Sequence, residues 1–276
     1  MYESEYLTML VNINDYSCQG RVDNKNGYLT FKPTSLLNNW VQEFWQLNVP
    51  DGKYLYRSIP DNCVDIIFNL TLPEDAIVVT PFSAAKIFEM TGPVSYFGIR
   101  FRILGHQGII STPLGEWSNE DNVNILNDIL PKQLLSTLYQ VTYKSISFQK
   151  RCAIFSQTLL DVMRPSEVDN RLIRYILYCN QSLASNIDLS NKQCSGFGVS
   201  ARHLRRLTYQ YLGLSPREFA KVLRFQKTLH TMNTHDCPST WAHCYYDQPH
   251  FNRDFKKLAG VTPKKFKNMS VLYNTD

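Results

Sequence analysis

A chain of 276 residues can form two domains that each bury a core, and its 43% hydrophobic and 19% charged residues are ordinary for a soluble protein. No apolar run approaches the roughly 20 residues of a membrane-spanning helix, and the acidic start Met1-Tyr2-Glu3-Ser4-Glu5 is unlike a secretory leader. We therefore expect a cytoplasmic protein without membrane contact. Seven scattered cysteines without a Cys-x-x-Cys pair favour reduced thiols over a disulfide framework.

The net charge of +5 is unevenly distributed. Residues 166–276 contain 16 Lys and Arg against 8 Asp and Glu, whereas residues 1–165 contain 13 against 16. A basic C-terminal part beside a mildly acidic remainder predicts that one domain meets a polyanion and the other does not. Charge alone does not identify that polyanion.

The first part of the chain, to about residue 110, is predicted to be rich in β-strands. Short β-branched and aromatic runs are separated by Pro, Gly and Asn, and the clearest cover residues 64–70, 76–79 and 96–101. We also expect one early helix over residues 36–45, because its apolar residues recur at three- and four-residue intervals: Leu36, Leu37, Trp40, Val41, Phe44 and Trp45.

From Val123 onward the apolar pattern becomes helical. One stripe runs over residues 125–138 with a break at Pro131, and a second covers residues 153–162 before Arg164-Pro165 ends it. Beyond Pro165 the chain is predicted to consist of helices and short turns. We place the domain boundary there, between residues 1–165 and 166–276.

An internal repeat with an offset of 47 residues is the most informative feature of the basic part. Residues 203–219 align without a gap on residues 250–266, and five of the 17 positions are identical. The identities are His and Arg early in a helix, Gly at its end, Pro at the start of the next helix, and Phe to pack that helix. Ser200 and Asp247 are the predicted N-caps of the two helices.

On a helical wheel each copy separates into an apolar and a basic face. A short helical segment precedes each cap, over residues 189–194 and 239–243, and a long helix from Pro216 to about Met232 connects the copies. One such helix could be an ordinary solvated surface helix. Two copies with the same polarity, cap and stop instead favour a pair of helix-turn-helix units that read the major groove of DNA.

The same residues resemble the AraC/XylS family of bacterial regulators over about residues 170–268. The segments that carry the resemblance are 198–207, similar to the first recognition helix, 213–216 with 223–225, similar to the linker, and 245–263, similar to the signature of the second unit. The resemblance implies an α+β protein. Its N-terminal domain, 1–165, would be a β-rich regulatory or sensor domain with flanking helices, and its C-terminal domain, 166–276, an all-α DNA-binding domain with two helix-turn-helix units joined by a linker helix.

The sequence departs from the family pattern at two places. The family usually has Gly before the aromatic pair Tyr245-Tyr246, where this sequence either has Cys244 or lacks a residue, and Ser239-Thr240-Trp241 replaces the usual Ile-Ala pair. These departures predict weaker docking of the second unit or a larger contribution from the first. A second resemblance, over segments 40–45, 60–62, 67–70 and 98–102, implies a cupin-like or β-rich sensor half.

The candidate base-reading residues lie on the basic faces, because Arg addresses guanine best, and Asn or Gln adenine. They are Arg202, Arg205 and Arg206 in the first unit, and Gln248, His250, Asn252 and Arg253 in the second. Lys221, Lys256, Lys257 and Lys264 are candidates for phosphate contacts.

Double-stranded DNA is the expected partner, read in successive major grooves. The resemblance further implies RNA polymerase, a homodimer, and a small-molecule effector or protein co-regulator at the N-terminal domain. We expect no cofactor, no metal and no catalytic residue. The aromatic residues of the N-terminal half are expected mostly in its core, with a pocket as the alternative.

Three alternatives remain open. An enzyme is suggested by Cys63 near Asp65 and by Arg100 and Arg102, but the methyl-acceptor motif of DNA-repair methyltransferases with this kind of domain is absent. A zinc site is suggested by five residues whose spacing matches no usual ligand pattern: His230, His235, Cys237, His243 and Cys244. A protein-interaction module is the third, distinguished by salt-insensitive or absent DNA retention.

Overall fold

The N-terminal half is built on one antiparallel sheet. The computed structural model describes residues 18–23, 27–33, 35–72, 75–110, 113–117, 123–125, 130, 132–144, 146–164, 167–182, 189–235 and 238–275. The strands are β1 (Tyr28–Phe31), β2 (Val41–Ser58), β3 (Val64–Asn69), β4 (Ile77–Val79), β5 (Lys86–Phe101), β6 (Val123–Ile125) and β7 (Leu272–Asn274). Their order is β1-β2-β5-β3-β4-β6, and β7 also pairs with β2.

One face of this sheet packs against two helices, α1 (Lys132–Tyr143) and α2 (Phe148–Val162). Phe44, Phe68 and Phe97 of the sheet share a buried cluster with Leu138 and Phe155 of the helices. The rings of Phe97 and Phe155 are 4.9 Å apart, as expected for an aromatic core. The predicted β-rich half with flanking helices is confirmed.

Two of the sequence predictions for this half are wrong. The helix expected over residues 36–45 is a 3-10 turn, Ser35–Asn39, followed by β2. Phe44 packs on the helix side of the sheet and Trp45 on the other, so both faces of β2 are apolar and the alternation of a half-exposed strand is lost. Val123–Ile125 is also a strand, paired with β4, rather than the start of a helix. Leu126, Ile129 and Pro131 lie outside the described residues.

The C-terminal half is helical up to residue 268. Its helices are α3 (Asn170–Gln181), α4 (Asn191–Gly196), α5 (Ala201–Leu212), α6 (Pro216–Thr234), α7 (Pro238–Trp241), α8 (Gln248–Ala259) and α9 (Pro263–Asn268). Helix α6 is the predicted linker. Phe219 and Leu223 near its start pack with α3, α4 and α5, whereas Phe225 and Leu229 pack with α7, α8 and α9. Each helix-turn-helix unit therefore has its own core on one shared helix.

The two halves contact each other extensively. Asn62 Nδ2 donates to the Phe219 carbonyl at 3.0 Å, and Gln226 Nε2 donates to the Pro60 carbonyl at 2.6 Å. The Ala85 amide donates to the Leu258 carbonyl at 2.7 Å. These bonds tie the start of α6, its middle and the end of α8 to loops of the sheet domain.

The C-terminal strand β7, which the sequence did not predict, also crosses between the halves. Leu272–Asn274 pairs antiparallel with Tyr54–Tyr56 of β2, and Leu272 is buried beside Trp45 and Leu47. The end of the chain therefore completes the sheet of the N-terminal half. Among the described residues no helix is long and apolar enough to span a bilayer.

Candidate nucleic-acid interface

The two predicted recognition helices, α5 and α8, each begin with a side-chain N-cap of the same kind. Ser200 Oγ accepts the His203 amide at 3.2 Å, and Asp247 Oδ1 accepts the His250 amide at 2.7 Å. Each bond satisfies one of the amides that a helix start leaves without a partner inside the helix.

Matching glycines end the same helices. Gly213 has φ 66° and Gly260 has φ 75°, the left-handed conformation that a helix C-terminus requires and that side chains other than Gly rarely adopt. Pro216 and Pro263 then open the following helices at their first turn. The repeat read from the sequence is therefore a repeat of local structure.

Both basic faces are solvent-exposed, as the helical wheels predicted. In α5, Leu204, Leu207 and Thr208 are buried; in α8, Phe251, Phe255 and Leu258 are buried. The exposed candidates are Arg202, Arg205, Arg206, Gln248, Asn252, Arg253, Lys256, Lys257 and Lys264. Long cationic side chains on an exposed helix face are free of competing burial and can meet a phosphate backbone or base edges.

His250 differs from these candidates because the protein itself engages it. It is half-buried, its ring lies 5.5 Å from that of Tyr245, and its Nε2 is 3.6 Å from Asp254 Oδ2. These contacts place His250 at the edge of the basic face, between the exposed arc and the core of the second unit.

Asp254 joins the second recognition helix to the linker helix. Its carboxylate lies 3.1 Å from Lys221 Nζ and 2.9 Å from Arg224 Nη2, both on α6. Lys221, predicted as a phosphate contact, is thus paired inside the protein. The sequence showed opposite charges but not this pairing, because the residues lie about thirty positions apart.

Cys244 and Tyr245 pack in the core of the second unit. Cys244 is 2% exposed in the cluster that holds Phe251 and Phe255, and burial raises the pKa of its thiol. The Tyr245 ring lies 5.3 Å from Phe251 and 4.8 Å from the Arg224 guanidinium carbon. The departure from Gly at position 244 therefore places a buried thiol beside the start of α8.

The N-terminal half borders the first recognition helix directly. Gly115 packs against the ring of Tyr209, where an added Cβ would lie 2.3 Å from the ring. Phe82 and Ser83 line a cleft together with Arg205, Arg206 and Tyr209. Ser83 Oγ also donates to Glu218 Oε1 at 3.2 Å, at the start of α6. One side of the basic face of α5 therefore lies next to the sheet domain.

The residues that suggested an enzyme are only partly brought together. Arg100 lies 3.3 Å from Asp65, but Cys63 Sγ is directed to Gln42 Oε1 at 3.5 Å, and Arg102 bonds to Asn38. None of the six described cysteines forms a disulfide bond; Cys237 lies outside the described residues. Within the described ranges, no three His, Cys, Asp or Glu side chains form a group that could hold a metal ion.

Comparison with known protein families gives one match in each half of the chain. Residues 193–269 match the family described as "Helix-turn-helix domain", and residues 29–122 match a domain of unknown function, DUF6597. A search of curated proteins found no matching sequence.

Solved structures of ToxT from Vibrio cholerae are similar over most of their length. The O395 structure is 12% identical, with 89% of this chain and 99% of that chain covered, at a TM-score of 0.41. The unsaturated fatty acid-bound wild-type structure from strain SCE256 is 13% identical, with 91% and 98% covered, also at 0.41.

The matched domain contains two capped helix-turn-helix units on one linker helix, each with an exposed basic face. That arrangement is the one implied by the sequence resemblance. Residues 193–269 therefore form an AraC-type helix-turn-helix domain, and the protein is a DNA-binding transcription regulator.

Proposed function

We propose that the protein binds specific DNA sequences by inserting α5 and α8 into successive major grooves on one side of the duplex. The observation that carries the proposal is the pair of exposed basic faces on helices with the same cap and stop, joined by α6. Successive major grooves are roughly 34 Å apart, and the DNA bends where a straight duplex does not match the separation of the helices.

Base reading is assigned to side chains near the start of each helix. Arg202, Arg205 and Arg206 read one half-site; Gln248, Asn252 and Arg253 read the other, with His250 at the margin. Lys256, Lys257 and Lys264 contact phosphates. Each bidentate base contact contributes about 1–3 kcal/mol of discrimination, whereas a phosphate contact strengthens binding to all sequences alike.

Residues 1–165 form the regulatory domain of this proposal and residues 166–276 the DNA-binding domain. The regulatory domain receives a small-molecule effector or a protein co-regulator and supplies any homodimer contact, while RNA polymerase is the downstream partner. The assignment of a regulatory role is supported by direct contacts between the sheet domain and both units: Ser83 bonds to Glu218, and Ala85 bonds to Leu258. The proposed location is the cytoplasm, where a bacterial regulator meets its DNA.

Selection of bound duplexes from a random library with the full-length protein tests sequence specificity. The expected result is a shared site with two half-sites about 10 base pairs apart from centre to centre. Failure to enrich any common sequence, or retention that does not respond to salt, would contradict the proposal and favour a protein-interaction module.

Three variants then separate base reading from charge. Arg206→Ala is expected to reduce binding to the selected site by about 1–3 kcal/mol and to relax preference at one base position. Lys257→Ala is expected to weaken binding to all sequences alike and to reduce the salt slope by about one. Lys150→Ala, at an exposed position of α2, is the matched control for loss of one positive charge. Equal loss across all sequences for Arg206→Ala would overturn its assigned role.

A further inference from the structure

A small cavity lies on the face of the sheet opposite α1 and α2. Its volume is about 170 Å³, and its walls are largely aromatic and apolar, with Trp45, Tyr56, Phe82, Phe88, Met90 and Tyr96 among them. An engineered apolar cavity of about 150 Å³ holds one benzene molecule. The space therefore fits a single six-membered ring with a short substituent.

At the polar end of this cavity, Asp61 and Asp65 line the wall beside Arg100, and Glu43 contacts Arg100 from outside the cavity. The Arg100 guanidinium lies 3.4 Å from Asp61, 3.3 Å from Asp65 and 3.2 Å from Glu43. Three carboxylates thus surround one cation. Among the described residues that line the cavity, Arg100 is the only Lys or Arg. A ligand carboxylate would add to this imbalance, whereas a ligand cation would reduce it.

The Asp65 carboxylate is buried, and it shares its Arg100 partner with two other carboxylates. Burial raises the pKa of Asp65 to about 6, although Arg100 acts to lower it and Asp61 to raise it. The Trp45 indole N–H donates to Asp65 Oδ1 at 2.7 Å, which fixes the carboxylate beside an aromatic wall. A positive group placed there would meet both a carboxylate and an aromatic face.

We infer that this cavity binds a small single-ring organic cation, with its ring against the aromatic walls and its ammonium group toward Asp65. This inference rests on the proposed effector role of the N-terminal domain and specifies the chemical class of the effector. Aromatic faces attract cations, and the attraction grows when water is excluded.

Phe82 connects the cavity to the DNA-binding half. It is 7% exposed and lines both the cavity and the cleft beside Arg205, Arg206 and Tyr209. The next residue, Ser83, bonds to Glu218 at the start of α6. A ring seated in the cavity therefore contacts the segment that borders the first recognition helix, which gives the ligand a physical route to change DNA affinity.

Calorimetric titration of the full-length protein with three probes of similar size tests the ligand class. Benzylamine, which is protonated at neutral pH, is expected to bind, benzyl alcohol to bind at least about tenfold more weakly, and benzoate to bind weakest. Benzoate binding as tightly as benzylamine, or no binding of benzylamine at millimolar concentration, would overturn the inference. This comparison needs no variant and so does not depend on the folding of one.

Substitution of the proposed anchor then tests the site. Asp65→Asn is expected to weaken benzylamine binding at least about tenfold, whereas Asp51→Asn, at an exposed position, leaves it unchanged. Unchanged binding in Asp65→Asn, or equal weakening in the control, would place the cation elsewhere. DNA selection without any ligand tests the proposed function separately, so sequence-specific DNA binding without amine binding would reject only the inference.

Discussion

Replacing Asp254 with Ala should loosen the second recognition helix from the linker helix. The carboxylate contacts Lys221 at 3.1 Å and Arg224 at 2.9 Å. The side chains of Lys221, Arg224 and Asp254 are only 26%, 14% and 17% exposed. Alanine leaves two partly buried cations on α6 without this acceptor. The substitution therefore weakens the contact between α6 and α8 and leaves the exposed basic face of α8 unchanged.

The expected magnitude follows from the degree of burial. Removing one partner of a fully buried ion pair costs about 3–5 kcal/mol, and an exposed pair contributes about 0–1 kcal/mol. The Arg224 guanidinium keeps its place over the Tyr245 ring at 4.8 Å, which compensates part of the charge. We therefore expect a loss of about 2 kcal/mol in the free energy of unfolding.

Urea denaturation of wild type and Asp254→Ala measures this loss, and hydrogen exchange with mass spectrometry locates it. Faster exchange is expected in α8 but not in α5. Asp161→Ala is the matched control, because Asp161 is an exposed helical carboxylate whose removal should cost less than about 0.5 kcal/mol. A similarly small loss of stability for Asp254→Ala, with unchanged exchange in α8, would refute the assigned role of Asp254 in holding α8 against α6.

Three further changes test other parts of the structure. Burial raises the pKa of Asp65 to about 6, so raising the pH from about 4 to about 7 should lower the free energy of unfolding by up to about 3 kcal/mol. Denaturation of Asp65→Asn should lack that part of the pH dependence, and a profile equal to that of the wild type would contradict the prediction. In Gly98→Ala the new Cβ would lie 2.0 Å from the Trp45 ring, so a loss of about 1–3 kcal/mol and altered tryptophan fluorescence are expected, whereas wild-type values would show that the ring can yield. A chain that ends at Val271 lacks β7, so the amides of Tyr54–Tyr56 that point toward β7 should exchange faster, while the part of β2 paired with β1 stays protected. Wild-type protection at Tyr54–Tyr56 in the shortened chain would show that β7 is not needed to protect these amides.

The helix-turn-helix units could be predicted from the sequence because their signals are local. A cap, a helical stripe and a stop glycine all act within one or two turns of helix, so the repeat of residues 203–219 in 250–266 specified both helices and their exposed faces. The structure confirms these elements, with Ser200 and Asp247 as caps. The DNA contacts themselves stay predictions.

The sheet domain was harder to predict because several of its strands have two buried faces. Phe44 and Trp45 point into different clusters, and their spacing imitated a helix. Its aromatic residues were expected mostly in the core, with a pocket as the alternative, and the structure contains both environments. Phe44, Phe68 and Phe97 form the core, whereas Trp45 and Phe88 line the cavity. When apolar residues occupy both faces of a strand, their spacing no longer shows which side of the sheet each one occupies.

The sequence by itself determined the composition of the two halves, the strand-rich and helical regions, and the two basic helix faces, because these depend on neighbours along the chain. Only the tertiary structure decided that Asp254 pairs with α6, that β7 completes the N-terminal sheet, and that Asp61, Asp65 and Glu43 converge on Arg100. Those contacts join residues far apart in the chain. Their formation depends on how whole elements pack, which the local pattern of residues does not specify.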